Sequence, residues 1–193
     1  MDLRVFLVHT NHCRQAHDLL VQNIAELGIR IAVVSEPYCI PDSPFWHGSK
    51  DGRAAIYWSR DRLQHGCSLF RIGDNFVAIS CGDIKIVSCY IPPEKGEDRA
   101  ATFRRALHGL EEVVRAAGPR VILCGDFNAR SECWRSQITN WRGRALVNWA
   151  RNIGLRGKRT HMREIARLLN RGPDLGHRGT NHENHGLESR NGN

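Results

Sequence analysis

The stretch VILCGDFNA, residues 121–129, decides how this chain is read. Val121 to Cys124 predict a buried strand, which Gly125 ends. Asp126 and Asn128 then leave at its C-terminal edge, and side chains two apart in extended backbone point to the same side. A carboxylate and an amide held together at a strand exit are equipment for handling water, a metal ion or a phosphate.

Immediately upstream, Phe103, Ala106, Leu107, Leu110, Val113 and Ala117 mark one face of a long helix, closed by Gly118-Pro119. Before it, Ser68 to Tyr90 alternates strand, turn, strand, turn, strand. Its turns are Gly73-Asp74-Asn75 and Gly82-Asp83, and Pro92-Pro93 ends the run. Ala54 to Trp58 reads as a strand, and Pro41 to Asp51 as a loop containing Trp46 and His47. Ile31 to Val34 is a second buried strand closed by Glu36-Pro37. Leu3 to Val8 is the first strand, followed by a helix through Ala16, Leu19, Leu20, Ile24 and Leu27 with Gly28 as its C-cap. Downstream, a helix spans about Arg142 to Asn152, with Ala145, Leu146 and Trp149 inward. Mixed strands with helices between some of them predict an α/β fold. The antiparallel middle favours two sheets packed face to face, with helices outside each.

The 193 residues suffice for one domain with a real core, and 41% hydrophobic residues suit a soluble protein. Lys and Arg number 28 against 20 Asp and Glu, a formal charge of +8 that suits a polyanion partner. The apolar stretch at the N-terminus is a strand rather than a signal peptide, and no segment is long enough to span a bilayer. The seven cysteines show no CxxC spacing, and their apolar settings predict buried free thiols in a reducing compartment. From Leu155 onward the chain carries eight basic and four acidic residues, half of the formal excess. A short helix is expected over His161 to Leu169. From Arg171 to Asn193 the only large apolar residues are Leu175 and Leu187, so this stretch is expected to be disordered.

Candidate functional groups collect at strand exits, where layered α/β folds gather them: His9, Glu36, Tyr90, Asp126 and Asn128. A glutamate there can bind one hard divalent cation, with water completing the shell. An aspartate can orient or deprotonate an attacking water, and a phenol can donate to developing negative charge. Each has a plainer reading. Glu36 could cap a loop or pair with an arginine, Asp126 and Asn128 could form an Asx-turn, and Tyr90 could be a core-edge residue with a wet hydroxyl. His9 could be a structural, hydrogen-bonded histidine. His12 and Arg14 could face phosphate or merely begin the first helix. Trp134 and Trp141 could support a DNA-facing loop or anchor the core, and Arg142 and Arg144 could approach a nucleic-acid backbone or be ordinary scattered surface arginines.

Five motifs come in order: Asn11-His12-Cys13-Arg14, Ser35-Glu36-Pro37-Tyr38, Val87-Ser88-Cys89-Tyr90-Ile91-Pro92-Pro93, Gly125-Asp126-Phe127-Asn128-Ala129, and Asn140-Trp141-Arg142-Gly143-Arg144-Ala145-Leu146. Over about residues 1–155 the chain resembles the endonuclease/exonuclease/phosphatase superfamily, and most the apurinic-like endonuclease domain of non-LTR retrotransposons. The resemblance implies a four-layer α/β/β/α sandwich with two mixed sheets. It implies Glu36 as ligand of Mg2+ (or Mn2+), Tyr90 near the scissile phosphate, Asp126 activating water and Asn128 binding phosphate. Two departures stand out. His9 takes the place of a family asparagine, with Leu7 where a glutamine is common. The family's closing Ile-Asp-Leu-like strand and Asp-His pair are missing.

The expectation is therefore an incomplete domain over residues 1–157 followed by a divergent, largely disordered basic tail over 158–193. Its ancestry is that of a magnesium-dependent DNA endonuclease, nuclear if functional and weak or silent in this copy, with DNA as partner, no membrane and no obligate protein partner. The alternatives are a noncatalytic nucleic-acid-binding remnant and a phosphatase of small phosphoesters.

Overall fold

The computed structural model describes residues 5–60, 63, 66–93, 96–158 and 167–169. One sheet, here sheet A, is built from β1 (Val5–His9), β2 (Ile31–Ser35), β3 (Trp46–Gly48) and β4 (Ala54–Trp58), in the order β1-β2-β4-β3. Sheet B contains β5 (Cys67–Ile72), β6 (Phe76–Cys81), β7 (Ile84–Tyr90), β8 (Val121–Asp126), β9 (Arg156–Lys158) and β10 (Arg167–Leu169), in the order β5-β6-β7-β8-β10-β9. Helix α1 (Arg14–Glu26) joins β1 to β2, α2 (Arg99–Ala117) joins β7 to β8, and α3 (Trp141–Asn152) follows β8.

Alternation along the strands makes four layers. In β2, Ile31 and Val33 face the other sheet, while Ala32 and Val34 pack with Leu20 of α1. In β8, Ile122 and Cys124 enter the same middle layer, while Val121 and Leu123 pack with Phe103, Leu107, Leu110 and Leu146 of α2 and α3. Strands covered on both faces read as unbroken apolar runs, which is why these two were visible in sequence. Each large apolar side chain so buried stabilises the fold by roughly 1.5–3 kcal/mol.

Each sheet contains one parallel pair among otherwise antiparallel strands. β1 runs parallel to β2, with His9 opposite Ser35. β7 runs parallel to β8, with Cys89 opposite Gly125 and Tyr90 opposite Asp126. The strand β8 thus continues through Gly125 rather than ending there. Gly125 is required because its φ is +145° and because a Cβ would overlap the Cys89 backbone across the pair.

Four expectations change. The 41–51 loop contains β3, which pairs antiparallel with β4 and would otherwise leave that strand as a bare edge. Trp46 secures it by packing on Tyr57, ring centroids 5.2 Å apart. Arg167–Leu169, expected as helix, forms a strand between β8 and β9, with Leu168 opposite Leu123. Sheet B therefore extends beyond β8, and β9 and β10 straddle the boundary expected near Gly157. The rest of the expected helix and tail lies outside the described residues. Among the cysteines, only Cys89 and Cys124 are buried free thiols. Cys67 and Cys81 lie opposite each other in the β5–β6 register, Cα atoms 4.4 Å apart, and form a disulfide. Cys13, Cys39 and Cys133 are exposed. Among the described residues no helix is long and apolar enough to cross a membrane.

Candidate active site

The C-terminal ends of the two parallel pairs meet at one rim. From sheet A, the chain leaves β2 at Glu36, whose backbone adopts φ +49°. That left-handed conformation is uncommon for a glutamate and is held by its neighbours. Glu36 N–H donates to the Arg53 carbonyl at 2.8 Å, and the Glu36 carbonyl accepts from Thr10 Oγ1 at 2.6 Å and His12 N–H at 2.8 Å. Asn11 and His12 also have positive φ, so the β1 exit curls over the β2 exit.

From sheet B, Asp126 leaves β8 almost fully buried, at 1% exposure. Its Oδ1 accepts the Asn128 backbone N–H at 2.7 Å, the Asx-turn that the plainer reading anticipated. Asn128 Nδ2 donates to the Ile91 carbonyl at 3.1 Å. The same carbonyl accepts Arg142 Nη2 at 3.0 Å, while Arg142 Nη1 donates to the Pro92 carbonyl at 2.7 Å. Arg142 is 6% exposed, and its guanidinium lies over the Phe103 ring, 4.3 Å from the centroid. It is a buried clamp on the segment after Tyr90, neither an arm toward a nucleic-acid backbone nor an ordinary surface arginine, the two readings that the sequence left open. A signal for it existed, since Pro92 and Pro93 end the strand and leave carbonyls needing donors from elsewhere.

His9 joins the halves. Its Nε2 lies 2.7 Å from Glu36 Oε2, and its Nδ1 lies 3.3 Å from Asp126 Oδ2. With a carboxylate oxygen facing each ring nitrogen, the imidazole is placed to donate twice, as only its cationic form can. The Asp126 hydrogen bond, joined by that of Glu36 and both negative charges, outweighs burial and raises the His9 pKa from 6.5 to about 9. Burial pushes the Glu36 carboxyl up, but hydrogen bonds from Tyr90 and His9 and the charges of His9 and His12 bring it below its ordinary value. His12 Nε2 stands 3.6 Å from Glu36 Oε1. Burial, then the hydrogen bond to Glu36, raises the Tyr90 phenol well above its ordinary range, so it stays a donor.

The structure thus brings together His9, Glu36, Tyr90, Asp126 and Asn128. It places the other candidates elsewhere. Arg14 pairs on the surface with Asp18 at 3.8 Å. Trp134 Nε1 donates to the Ala129 carbonyl at 2.9 Å, and Trp141 packs edge-on against Phe103. Arg144, exposed, donates to the Thr139 carbonyl at 3.2 Å.

The donor chemistry suits a hard divalent cation. Glu36 is partly exposed, and Asp126 Oδ2 is a buried oxygen whose neighbouring donor is His9 Nδ1 at 3.3 Å. Among the described residues no group of three or more His, Cys, Asp and Glu is placed to share a metal. Glu36 would therefore hold a cation with water filling most of the shell, and His9 would have to yield part of its hold on that carboxylate. Beside this cluster opens a pocket of about 670 Å³ that Asp126 and Asn128 share with Arg130, Arg135 and Ile138. Sequence reasoning did not single out the last three, because scattered surface arginines carry no periodic signal.

Comparison with known proteins agrees with this fold. Residues 84–172 match the Endonuclease-reverse transcriptase family. The endonuclease domain of TRAS1, a telomere-specific non-LTR retrotransposon, superposes with a TM-score of 0.70 at 23% identity, covering 86% of this chain and 83% of that one. The 3'-5' exonuclease NExo from Neisseria meningitidis gives 0.53 at 17% identity, covering 79% and 72%. The 3' phosphatase NExo from Neisseria, bound to a product DNA hairpin, gives 0.54 at 14% identity, covering 79% and 71%. At these identities the structural likeness speaks for the fold. No curated protein matches the chain in sequence.

Proposed function

We propose that this chain, whose residues 84–172 match the Endonuclease-reverse transcriptase family and whose fold is similar to that of the TRAS1 endonuclease domain, is a divalent-cation-dependent nuclease that hydrolyses phosphodiester bonds in DNA. One observation carries the reading: two carboxylates, a phenol, an amide and an imidazole converge from two sheets at a single rim. In this reading Asp126 accepts the proton of the attacking water, and Asn128 holds the phosphate through its amide. Tyr90 donates a hydrogen bond from its hydroxyl to the phosphate as charge develops, keeping its proton, and His9 adds positive charge beside it. A cation on Glu36 would supply Lewis-acid stabilisation of the phosphate and the leaving oxygen. The formal charge of +8 suits a DNA partner.

The test is nicking of supercoiled plasmid in Mg2+ or Mn2+, with and without EDTA. Nicking should require the cation and fall at least ~1000-fold in Asp126→Asn, which keeps the volume but removes the base. Equal nicking by that variant would defeat the proposal. A second reading, noncatalytic nucleic-acid binding, is favoured by one specific observation: His9 already faces one oxygen of each carboxylate, where a cation or an attacking water would have to approach. Salt-sensitive DNA binding with no nicking in either cation would select it.

A further inference from the structure

The pocket beside the cluster is walled by a loop that is unusually well fixed for exposed chain. Its ends are tied twice, by Asn140 N–H to the Arg130 carbonyl at 3.0 Å and by Arg130 N–H to Asn140 Oδ1 at 3.1 Å. The same Asn140 oxygen accepts Gly143 N–H at 2.8 Å, which caps α3 and couples the loop to that helix. Glu132 N–H donates to Thr139 Oγ1, and the Trp134 indole to Ala129. This is a compact loop with its ends together, a form that often carries function.

Two arginines line the pocket from this loop, Arg130 and Arg135. Arg135 sits at φ +68°, a conformation rare outside glycine. Among the described residues no carboxylate pairs with either of them, although exposed Arg115 and Arg120 both find acidic partners. Across the same pocket Ile138 keeps 56% of its surface in water. Paired cations without counterions, beside an apolar face and continuous with Asp126 and Asn128, describe a receptor for something anionic with an apolar part.

We infer that this pocket is a second phosphate subsite: Arg130 and Arg135 hold a phosphate flanking the one at the Asp126–Asn128 centre, and Ile138 covers the intervening sugar or base. The inference rests on the nuclease reading and deepens it. It makes the substrate a polynucleotide with a neighbouring phosphate, not an isolated phosphoester. The volume of about 670 Å³ falls within the usual range for ligand pockets. Guanidinium forks suit phosphate oxygens, and a loop fixed beforehand loses little entropy on binding.

The experiment uses the full chain, EDTA to block cleavage, and a fluorescein-labelled DNA duplex of about 20 base pairs, followed by anisotropy across rising NaCl. Relative to wild type, the Arg130→Gln/Arg135→Gln double variant should bind about tenfold more weakly. Its slope of log affinity against log salt should be shallower by roughly 1.8, the release expected for two phosphate contacts. Ile138→Ser should weaken binding about threefold with an unchanged slope, since apolar contact carries no counterion release. Arg104→Gln/Arg105→Gln, on the exposed side of α2, should stay within about twofold of wild type. Unchanged affinity and slope in the first variant, with wild type still binding, would overturn the subsite and leave the nuclease reading intact. An equal loss in the α2 variant would overturn it as well, by reducing the effect to net charge. Absence of wild-type binding at low salt would overturn the nuclease reading itself.

Discussion

At the rim of sheet A, His9 and Glu36 leave the parallel pair β1–β2 through backbone that turns left-handed at Asn11, His12 and Glu36. At the rim of sheet B, Tyr90 and Asp126 leave the parallel pair β7–β8 and are fixed by hydrogen bonds to backbone and by packing: Asn128 on Asp126, Asn128 and Arg142 on Ile91, Arg142 on Phe103. The contributions to the site are similar, but what holds them differs. The sheet A half depends on charge, through an imidazole shared by two carboxylates. The sheet B half depends on close approach of backbone and on one buried cation satisfied by carbonyls. Perturbations of packing and perturbations of charge should therefore separate the two.

The largest effect should come from Gly125→Ala. The added methyl has no room against the Cys89 backbone, and φ +145° is open only to glycine. A loss of about 4 kcal/mol or more in urea unfolding, or failure to fold, is expected. A loss under about 1 kcal/mol would show that the β7–β8 approach is looser than described. Next comes Arg142→Met, which keeps the stem but removes the donors to Ile91 and Pro92, at a cost of about 2–3 kcal/mol. It should depress nicking more than Leu146→Ala does at equal stability loss, because Leu146 buries core surface and has no donor to offer the Ile91 carbonyl. Equal activity in the two would reduce Arg142 to bulk stability.

The smallest effect concerns charge. His9 titrates at about 9 in the folded chain against 6.5 as a free group. A raised folded pKa means that the folded state holds its proton more tightly than the unfolded state. The stabilisation is thus complete below pH 6.5 and is lost as pH rises through about 9. Unfolding measured across that window should show wild type losing on the order of 2 kcal/mol relative to His9→Gln. Parallel profiles for the two proteins would break the distinction between a charge-held and a packing-held half.

Much of this was legible in the chain because the informative strands are buried on both faces. The runs at 31–34 and 121–124 announced themselves, and Glu36, Tyr90, Asp126 and Asn128 could be placed at strand exits by counting from them. What escaped was short or non-periodic. The strand at Trp46–Gly48 has three residues amid prolines, and its existence depends on an edge of β4 that only the fold creates. Arg167–Leu169 suited either period. The Cys67–Cys81 bond follows from a hairpin register that composition does not reveal. Arg142 looked like any charged residue in the first turn of a helix, since its carbonyl partners lie about fifty positions upstream. His9 was noticed as a substitution, but its bridging geometry requires both sheets in place.

Because the two halves belong to separate sheets that meet through apolar side chains, sliding one sheet across the other would change the Glu36-to-Asp126 separation while leaving every ladder hydrogen bond intact. Such a slide would have to repack the buried side chains of the middle layer, and His9 is a polar tie across the same seam. Whatever draws the imidazole away from either carboxylate removes that tie and leaves a carboxylate oxygen facing the space between the sheets.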